Sequence, residues 1–155
     1  MHTDATLVVD FLNTVDIERG EDLLDDPEQW QRWSTARGLV PHNTADARAI
    51  RDGLRAAVGD PRLAEEPLEV PLTFALGSDG PRLLSTNAAS AVLVAATRLA
   101  IRGDWVRLKI CPADDCLEAF YDESRNRSRT WCSMRVCGNR EKARTWRARA
   151  TGVHN

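Results

Sequence analysis

The chain contains all four of its cysteines in two short segments, CPADDC at 111–116 and CSMRVC at 132–137. Four residues lie inside each pair and fifteen separate the pairs, a spacing typical of a tetrahedral four-thiolate zinc site. A closed site of this kind has no open coordination position for water or substrate, so its metal stabilises a fold and does not catalyse a reaction. We therefore predict one structural zinc ion held by Cys111, Cys116, Cys132 and Cys137.

Two alternatives to zinc compete for the same cysteines. Disulfides are typical of exported proteins, but residues 1–10 hold two acids and no Lys or Arg before an apolar run, unlike a secretory signal peptide. Unrelated buried cysteines would not be expected to fall in two matched pairs within 27 positions. Both comparisons favour zinc, and the missing signal peptide leads us to expect a cytoplasmic protein.

Charge is segregated along the chain. Residues 1–100 contain 9 Lys and Arg against 16 Asp and Glu, a balance of −7, whereas residues 101–155 contain 12 against 7, a balance of +5. This pattern fits an acidic body that stays off nucleic acid and a basic part that contacts it. The alternative is that the cations only solvate a surface. The candidate nucleic-acid contacts are Arg125, Arg127, Arg129, Arg135, Asn139, Arg140, Lys142, Arg144, Arg147 and Arg149.

Two stretches resemble known families. The run Cys137-Gly138-Asn139-Arg140, with the cysteine spacing and the basic segment after it, resembles the CGNR zinc finger of bacterial transcription regulators. The run DFLNT at 10–14 resembles the start of the ABATE domain, a stress-induced regulator domain that precedes this finger. Together the two resemblances span most of the chain and imply a bacterial DNA-binding regulator.

We predict an α+β fold in two domains. Residues 1–103 are expected to form an acidic, mainly helical domain with a β-hairpin, and residues 104–155 a small four-cysteine finger ending in a basic helix. Helix-starting signals precede Pro27, Thr44 and Ala88, and the turn sequence GSDG predicts the hairpin between residues 72 and 85.

The predicted helix that begins at Asn43 or Thr44 has one apolar face and one charged face. Its apolar residues recur at helical spacing and should face the core, with the arginines left outside. The apolar residues are Ala47, Ile50, Leu54, Ala57 and Val58, and the arginines are Arg48, Arg51 and Arg55.

The finger reads as knuckle, hairpin, second knuckle and helix, the order of a treble-clef-like finger by analogy. Gly138 is expected to permit a sharp turn out of the second knuckle, and Trp131 to pack against the metal module. Asn139 could contact adenine or cap the helix, and its position at the helix start favours the cap.

On the final helix, an apolar stripe is expected to dock and an arginine stripe to face outward. The apolar stripe consists of Ala143, Trp146 and Ala150, and the arginine stripe of Arg140, Arg144 and Arg147. Guanidinium groups in a row suit phosphate oxygens and guanine edges.

Three polar residues, Asp10, Asn13 and Thr14, interrupt an apolar run near the amino terminus. They could form a site for a small molecule or partner, or they could satisfy a helix end. We favour the helix end, because buried polar side chains usually bond backbone groups.

The function predicted from these observations is a zinc-dependent DNA-binding regulator that acts as a homodimer on paired half-sites. The amino-terminal domain would be a sensor or dimerisation body, with no effector that the sequence identifies. The alternative is a zinc-stapled module that binds RNA or acidic protein surfaces. We expect no enzymatic activity, since no nucleophile or nucleotide motif is present, and no membrane segment, since the uncharged run at 88–97 is too short.

Overall fold

The computed structural model describes residues 3–152. Its helices are α1 (Asp4–Leu12), α2 (Pro27–Thr35), α3 (Thr44–Val58), α4 (Ala88–Ile101) and α5 (Asn139–Thr151). Its strands are β1 (Val15–Asp16), β2 (Glu21–Asp22), β3 (Thr73–Gly77), β4 (Gly80–Leu84), β5 (Leu108–Ile110) and β6 (Ala119–Tyr121). The strands pair antiparallel as β1 with β2, β3 with β4 and β5 with β6. The predicted α+β class is confirmed.

Polar caps begin the helices of the amino-terminal part. Asp26 accepts hydrogen bonds from the first turn of α2, where Pro27 occupies the first position. Asn43 caps α3, and Asn87 forms a capping box with Ser90 at the start of α4. Each cap satisfies backbone N–H groups that have no partner within the helix. These local signals explain why the helix starts could be predicted.

One hydrophobic core joins α1, α4 and the β5–β6 hairpin. Helix α1 packs along α4 and against β6, and Leu108 and Ala119 of the hairpin are buried in the same cluster as both helices. The core therefore includes residues on both sides of the predicted domain boundary between residues 103 and 104. The division into two domains at that boundary stays a prediction. The largest fully buried apolar side chains of this cluster are Trp30, Phe11, Leu12, Leu24, Leu99, Val8 and Val92.

Helix α3 corrects the prediction for two of its three arginines, Arg51 and Arg55, which lie in the core, whereas Arg48 is not buried. Arg51 is 2 % exposed and Arg55 is 0 % exposed, whereas Ala57 is exposed. Arg51 donates to Asp22 at 2.6 Å and Arg55 donates to Asp60 at 2.8 Å. Carboxylate partners compensate the cost of burying each guanidinium group. The prediction was wrong because the partners come from segments outside the helix.

No helix within residues 3–152 is long and apolar enough to cross a membrane.

Candidate zinc centre and basic surface

The four cysteines converge on one point. Cys111 follows β5, Cys116 closes a tight turn, Cys132 follows a loop, and Cys137 lies in a π-helical turn, Met134–Gly138. Their Sγ atoms all lie within 4.8 Å of one another. The separations of Cys116 from Cys132 and of Cys132 from Cys137 are both 3.6 Å.

This geometry fits zinc and excludes disulfide bonds between these pairs. A zinc–sulfur distance of about 2.3 Å places tetrahedral sulfurs about 3.8 Å apart, close to the observed 3.6 Å. A disulfide requires an S–S distance of about 2.05 Å. The chain therefore holds one structural zinc ion through four thiolates.

Protons compete with zinc for the four cysteine thiols. Burial raises the pKa of Cys116 to about 12 and also raises the pKa of Cys132. Burial acts in the same direction on Cys111, but hydrogen bonds from the backbone of Cys132 and Ala113 outweigh it and lower the pKa of Cys111. Because zinc binds thiolates, loading releases protons and becomes weaker in acid.

The second knuckle is packed tightly around Gly138. The backbone there is right-handed helical, with φ −63°, so the predicted sharp turn at this residue was wrong. A Cβ on Gly138 would overlap Met134 Sδ and lie 3.2 Å from Cδ1 of Trp131. A larger residue at this position would require the flexible Met134 side chain to move, and Trp131 packs beside the cysteines as predicted.

Asp122 organises the arginine-rich loop, residues 123–130. Its fully buried carboxylate accepts the backbone N–H groups of Ser124 at 2.9 Å and Arg129 at 3.0 Å, and Lys109 Nζ at 2.6 Å. Burial alone would raise the pKa of Asp122, but the bonds from Lys109 and Ser124 outweigh it and lower the pKa. Lys109 also donates to two loop carbonyls, at 2.7 and 2.8 Å.

The sequence analysis missed this Lys109–Asp122 pair. Its members lie in and just after the paired strands β5 and β6, where Lys109 is opposite Phe120. An isolated lysine and aspartate thirteen positions apart carry no local signature, so only the strand register could have connected them.

The arginines of the loop differ in what they contact. Arg125 and Arg127 are exposed, and their side chains have no hydrogen-bond or ion-pair partner within residues 3–152. Arg129 lies over the ring of Phe120 at 4.7 Å and donates to the carbonyls of Trp131, at 2.9 Å, and Cys132. Arg129 therefore stabilises the finger through contacts within it, whereas the side chains of Arg125 and Arg127 are exposed to solvent.

Helix α5 corrects the predicted docking of its apolar stripe. None of its residues is buried, and Trp146 is 71 % exposed. The space around the cysteines is already filled by Ala113, Phe120 and Trp131. Within the described residues this cluster includes no residue of α5. The prediction failed because helical spacing alone does not supply an element for the apolar stripe to pack against.

Two of the predicted DNA contacts on α5 are held by other groups. Arg140 pairs with Asp115 at 3.0 Å and donates to Cys137 Sγ at 3.4 Å. Arg144 pairs with Glu141 at 2.7 Å. Burial opposes the charge of Arg140, but Asp115 outweighs it and raises the pKa of Arg140.

Asn139 does not cap α5. It already has helical dihedral angles, φ −70° and ψ −39°, because the π-helical turn runs directly into the helix. Its Nδ2 donates to the carbonyl of Arg135 at 3.3 Å. The N-cap prediction was wrong because the helical path begins five residues earlier.

The other basic residues predicted to contact nucleic acid are exposed. In the described part of the chain, none of these four side chains has an ion-pair or hydrogen-bond partner: Arg135, Lys142, Arg147 and Arg149.

Comparison with protein families assigns both parts of the chain. The CGNR zinc finger matches residues 107–150. The ABATE family, described as "Putative stress-induced transcription regulator", matches residues 5–115. The chain belongs to the ABATE family. Its CGNR finger supplies the four cysteines of the zinc centre. No curated protein matches the chain in a sequence search.

The polar residues near the start of the ABATE match bond to the protein itself. Asp10 Oδ2 accepts from Arg37 Nη2 at 2.9 Å. Thr14 Oγ1 donates to the carbonyl of Phe11 at 2.8 Å. Both side chains therefore have structural partners next to the end of α1.

Asn13 and Arg55 connect the ABATE helices to the finger. The Asn13 side chain both donates to and accepts from the backbone of Ala119, each at 2.8 Å. Arg55 donates to the carbonyls of Leu12, at 2.8 Å, and Leu117, at 2.6 Å. The first hairpin of the finger is thereby fixed to α1 and α3.

Proposed function

We propose that this protein is a zinc-dependent transcription regulator whose CGNR finger binds duplex DNA. The observation that carries the proposal is a set of exposed cations without carboxylate partners in the described residues, presented by the loop, by the second zinc knuckle and by α5. Double-stranded DNA binds such surfaces through its phosphates. The set consists of Arg125, Arg127, Arg135, Lys142 and Arg149. Arg147 is also exposed and unpaired in the described residues, but it lies on the other side of α5 from Lys142 and Arg149.

Zinc has an organising role in this proposal. Both basic segments are attached to cysteines: the loop leads into Cys132, and α5 follows Cys137 directly. The apolar cluster beneath them is small, so the metal supplies much of the stabilisation. A closed four-thiolate site also leaves no position for substrate, which supports a non-enzymatic role.

The ABATE part serves in this proposal as a sensor or dimerisation body, divided from the finger near residues 103 and 104. Two fingers in a homodimer would contact paired half-sites, raising both affinity and selectivity. Four reduced thiols in a zinc site fit the cytoplasm, where thiols are kept reduced, and a bacterial source follows from the CGNR resemblance.

Fluorescence anisotropy with a pool of labelled duplexes tests the proposal. The zinc-loaded chain should bind, and log K should fall with log salt at about 0.9 per phosphate contacted. The chelated protein is the matched control and should bind at least tenfold more weakly. If the zinc-loaded chain fails to bind duplex DNA at low salt, the proposal is wrong.

One observation favours the alternative of an RNA-binding module. Trp146 is exposed on a basic helix, and exposed aromatic rings can stack on unpaired bases. Competition of the duplex by a structured RNA separates the two functions. RNA that displaces duplex DNA at equal concentration would favour the alternative.

A further inference from the structure

Helix α5 has two basic faces that differ in their ion pairing. At 3.6 residues per turn, Asn139, Lys142, Trp146 and Arg149 fall within an arc of about 80°; we name this the open face. Arg140, Arg144 and Arg147 fall on an arc centred roughly 150° away. We name this the paired face because Arg140 and Arg144 are ion-paired there, although Arg147 is not. A helix that lies in a DNA groove directs one such face toward the bases, so the two faces are alternatives.

The paired face presents carboxylates as well as cations. Asp115 holds Arg140 at 3.0 Å, and Glu141 holds Arg144 at 2.7 Å. Asp115 is 61 % exposed at its side chain, so a phosphate that approaches Arg140 also approaches this carboxylate. Turning this face toward DNA would break both ion pairs or bring acidic groups against phosphates, and like charges in contact are unfavourable.

Arg140 has a structural role in this arrangement. Its guanidinium group bonds both to Cys137 Sγ, at 3.4 Å, and to Asp115 in the first knuckle. It therefore links the start of α5 to both halves of the zinc site. An arginine with this role is not free to follow the DNA backbone.

The cations of the open face are not paired with carboxylates in the described residues. Lys142, Trp146 and Arg149 are exposed, and in the segment from residue 3 to residue 152 their side chains have no ion-pair or hydrogen-bond partner. Lys142 and Arg149 lie one turn to either side of the indole ring. Two cations flanking an apolar ring match a groove edge, where phosphates line the rim and base edges lie inside.

We infer that α5 enters the major groove with its open face, and this inference rests on the function proposed above. Lys142 and Arg149 contact phosphates on the two sides of the groove. Trp146 contacts base edges, where its apolar surface suits a thymine methyl group. Asn139 lies at the amino-terminal end of the same face. The partner is duplex DNA, selected by the charge of this face.

Two double variants with equal charge loss test the inference. Lys142→Gln with Arg149→Gln removes the two cations of the open face, and Arg144→Gln with Arg147→Gln removes two from the paired face. All four side chains are exposed, so both variants should fold, which zinc content and circular dichroism would verify. Affinity and salt slope are measured by anisotropy on a duplex selected from the pool.

The open-face variant should bind at least tenfold more weakly. Its salt slope should be lower by about 2, because two cations that each neutralise one phosphate have been removed. The paired-face variant should bind less than about threefold more weakly. Trp146→Ala should lower the preference for the selected duplex over a scrambled one and leave the salt slope unchanged, because an interaction with a base releases no counterion.

Each other result overturns a distinct claim. An equal or larger loss of affinity from the paired-face variant would overturn the open-face inference and leave DNA binding intact. Unchanged sequence preference in Trp146→Ala would remove the base-reading role of the indole. Failure of the unmodified, zinc-loaded chain to bind any duplex would overturn the proposed function itself.

Discussion

Asp60 lies buried between two arginines. It accepts from Arg55 at 2.8 Å and from Arg62 at 2.7 Å. Burial alone would raise the pKa of Asp60, but the hydrogen bonds from Arg62 and Arg55 outweigh it and lower the pKa from 3.8 to about 2. A folded-state pKa below the unfolded value means that the ionised group stabilises the fold.

The lowered pKa of Asp60 predicts that the protein loses stability in acid. Its contribution is fully present above about pH 4 and is lost as the pH falls toward 2, amounting to about 2 kcal/mol. Asp60→Asn should therefore show a flatter dependence of the unfolding free energy on pH in this window. At pH 7 the variant should be less stable by about 3 kcal/mol, because the buried charge of Arg55 loses the carboxylate that compensates it.

Urea denaturation followed by tryptophan fluorescence, at several pH values between 2 and 7, measures both effects. Zinc release in acid affects parent and variant alike, so the difference between them isolates Asp60. Asp79→Asn, in the exposed turn between β3 and β4, is the control and should change stability at pH 7 by less than about 0.5 kcal/mol. A parent and an Asp60 variant with the same pH profile would contradict the prediction.

At the scale of elements, the arginine-rich loop depends on the buried Asp122. Asp122→Asn removes the negative charge that holds Lys109, although its amide oxygen can still accept a backbone N–H group. We expect faster amide exchange at Ser124 and Arg129, whose N–H groups bond the carboxylate. DNA affinity should fall about three- to tenfold, because a mobile loop must be ordered on binding.

Hydrogen exchange and anisotropy measure these two effects in the same samples. Glu123→Gln removes one negative charge at the exposed neighbouring position and should leave loop exchange unchanged. Since both variants lose one acidic charge, a general electrostatic effect would strengthen DNA binding equally in the two. Equal loop exchange in both variants would show that Asp122 does not order the loop.

Helix starts could be predicted from the sequence where the capping side chain lies next to the helix. Asp26, Asn43 and Asn87 each bond to the helix turn that follows them, so side-chain chemistry near each start was sufficient. The zinc ligands were equally accessible, because the spacing of the cysteines constrains their coordination.

Long-range partners explain what the sequence could not supply. The burial of Arg55 depends on Asp60, Leu12 and Leu117, which a helical periodicity does not include. Trp146 shows the opposite error, since an apolar residue at core spacing is buried only where another element offers a groove. The ion pair of Arg140, one of the two that distinguish the faces of α5, likewise depends on Asp115, from the first knuckle.

At the scale of the whole molecule, the finger has two different supports. Its β5–β6 hairpin shares the core of α1 and α4, with Leu108 and Ala119 buried there, and Asn13 bonds the backbone of Ala119. Helix α5 has no buried residue, and the turn before it contains Cys137. The first support is apolar packing and hydrogen bonding, and the second is the metal.

Zinc removal should therefore unfold the finger in part. We expect a chelator to abolish amide protection over residues 132–151 and to reduce helical circular dichroism by about the 13 residues of α5, because an isolated helix of this length is marginal in water. Protection of α1, α4 and the β5–β6 hairpin should persist, since their core does not include the metal. Cys137→Ser, which removes one thiolate, should reproduce the chelated pattern. Loss of protection in α1 together with α5 would instead mean that the metal stabilises the entire chain, and the ABATE helices would then need zinc for their own fold.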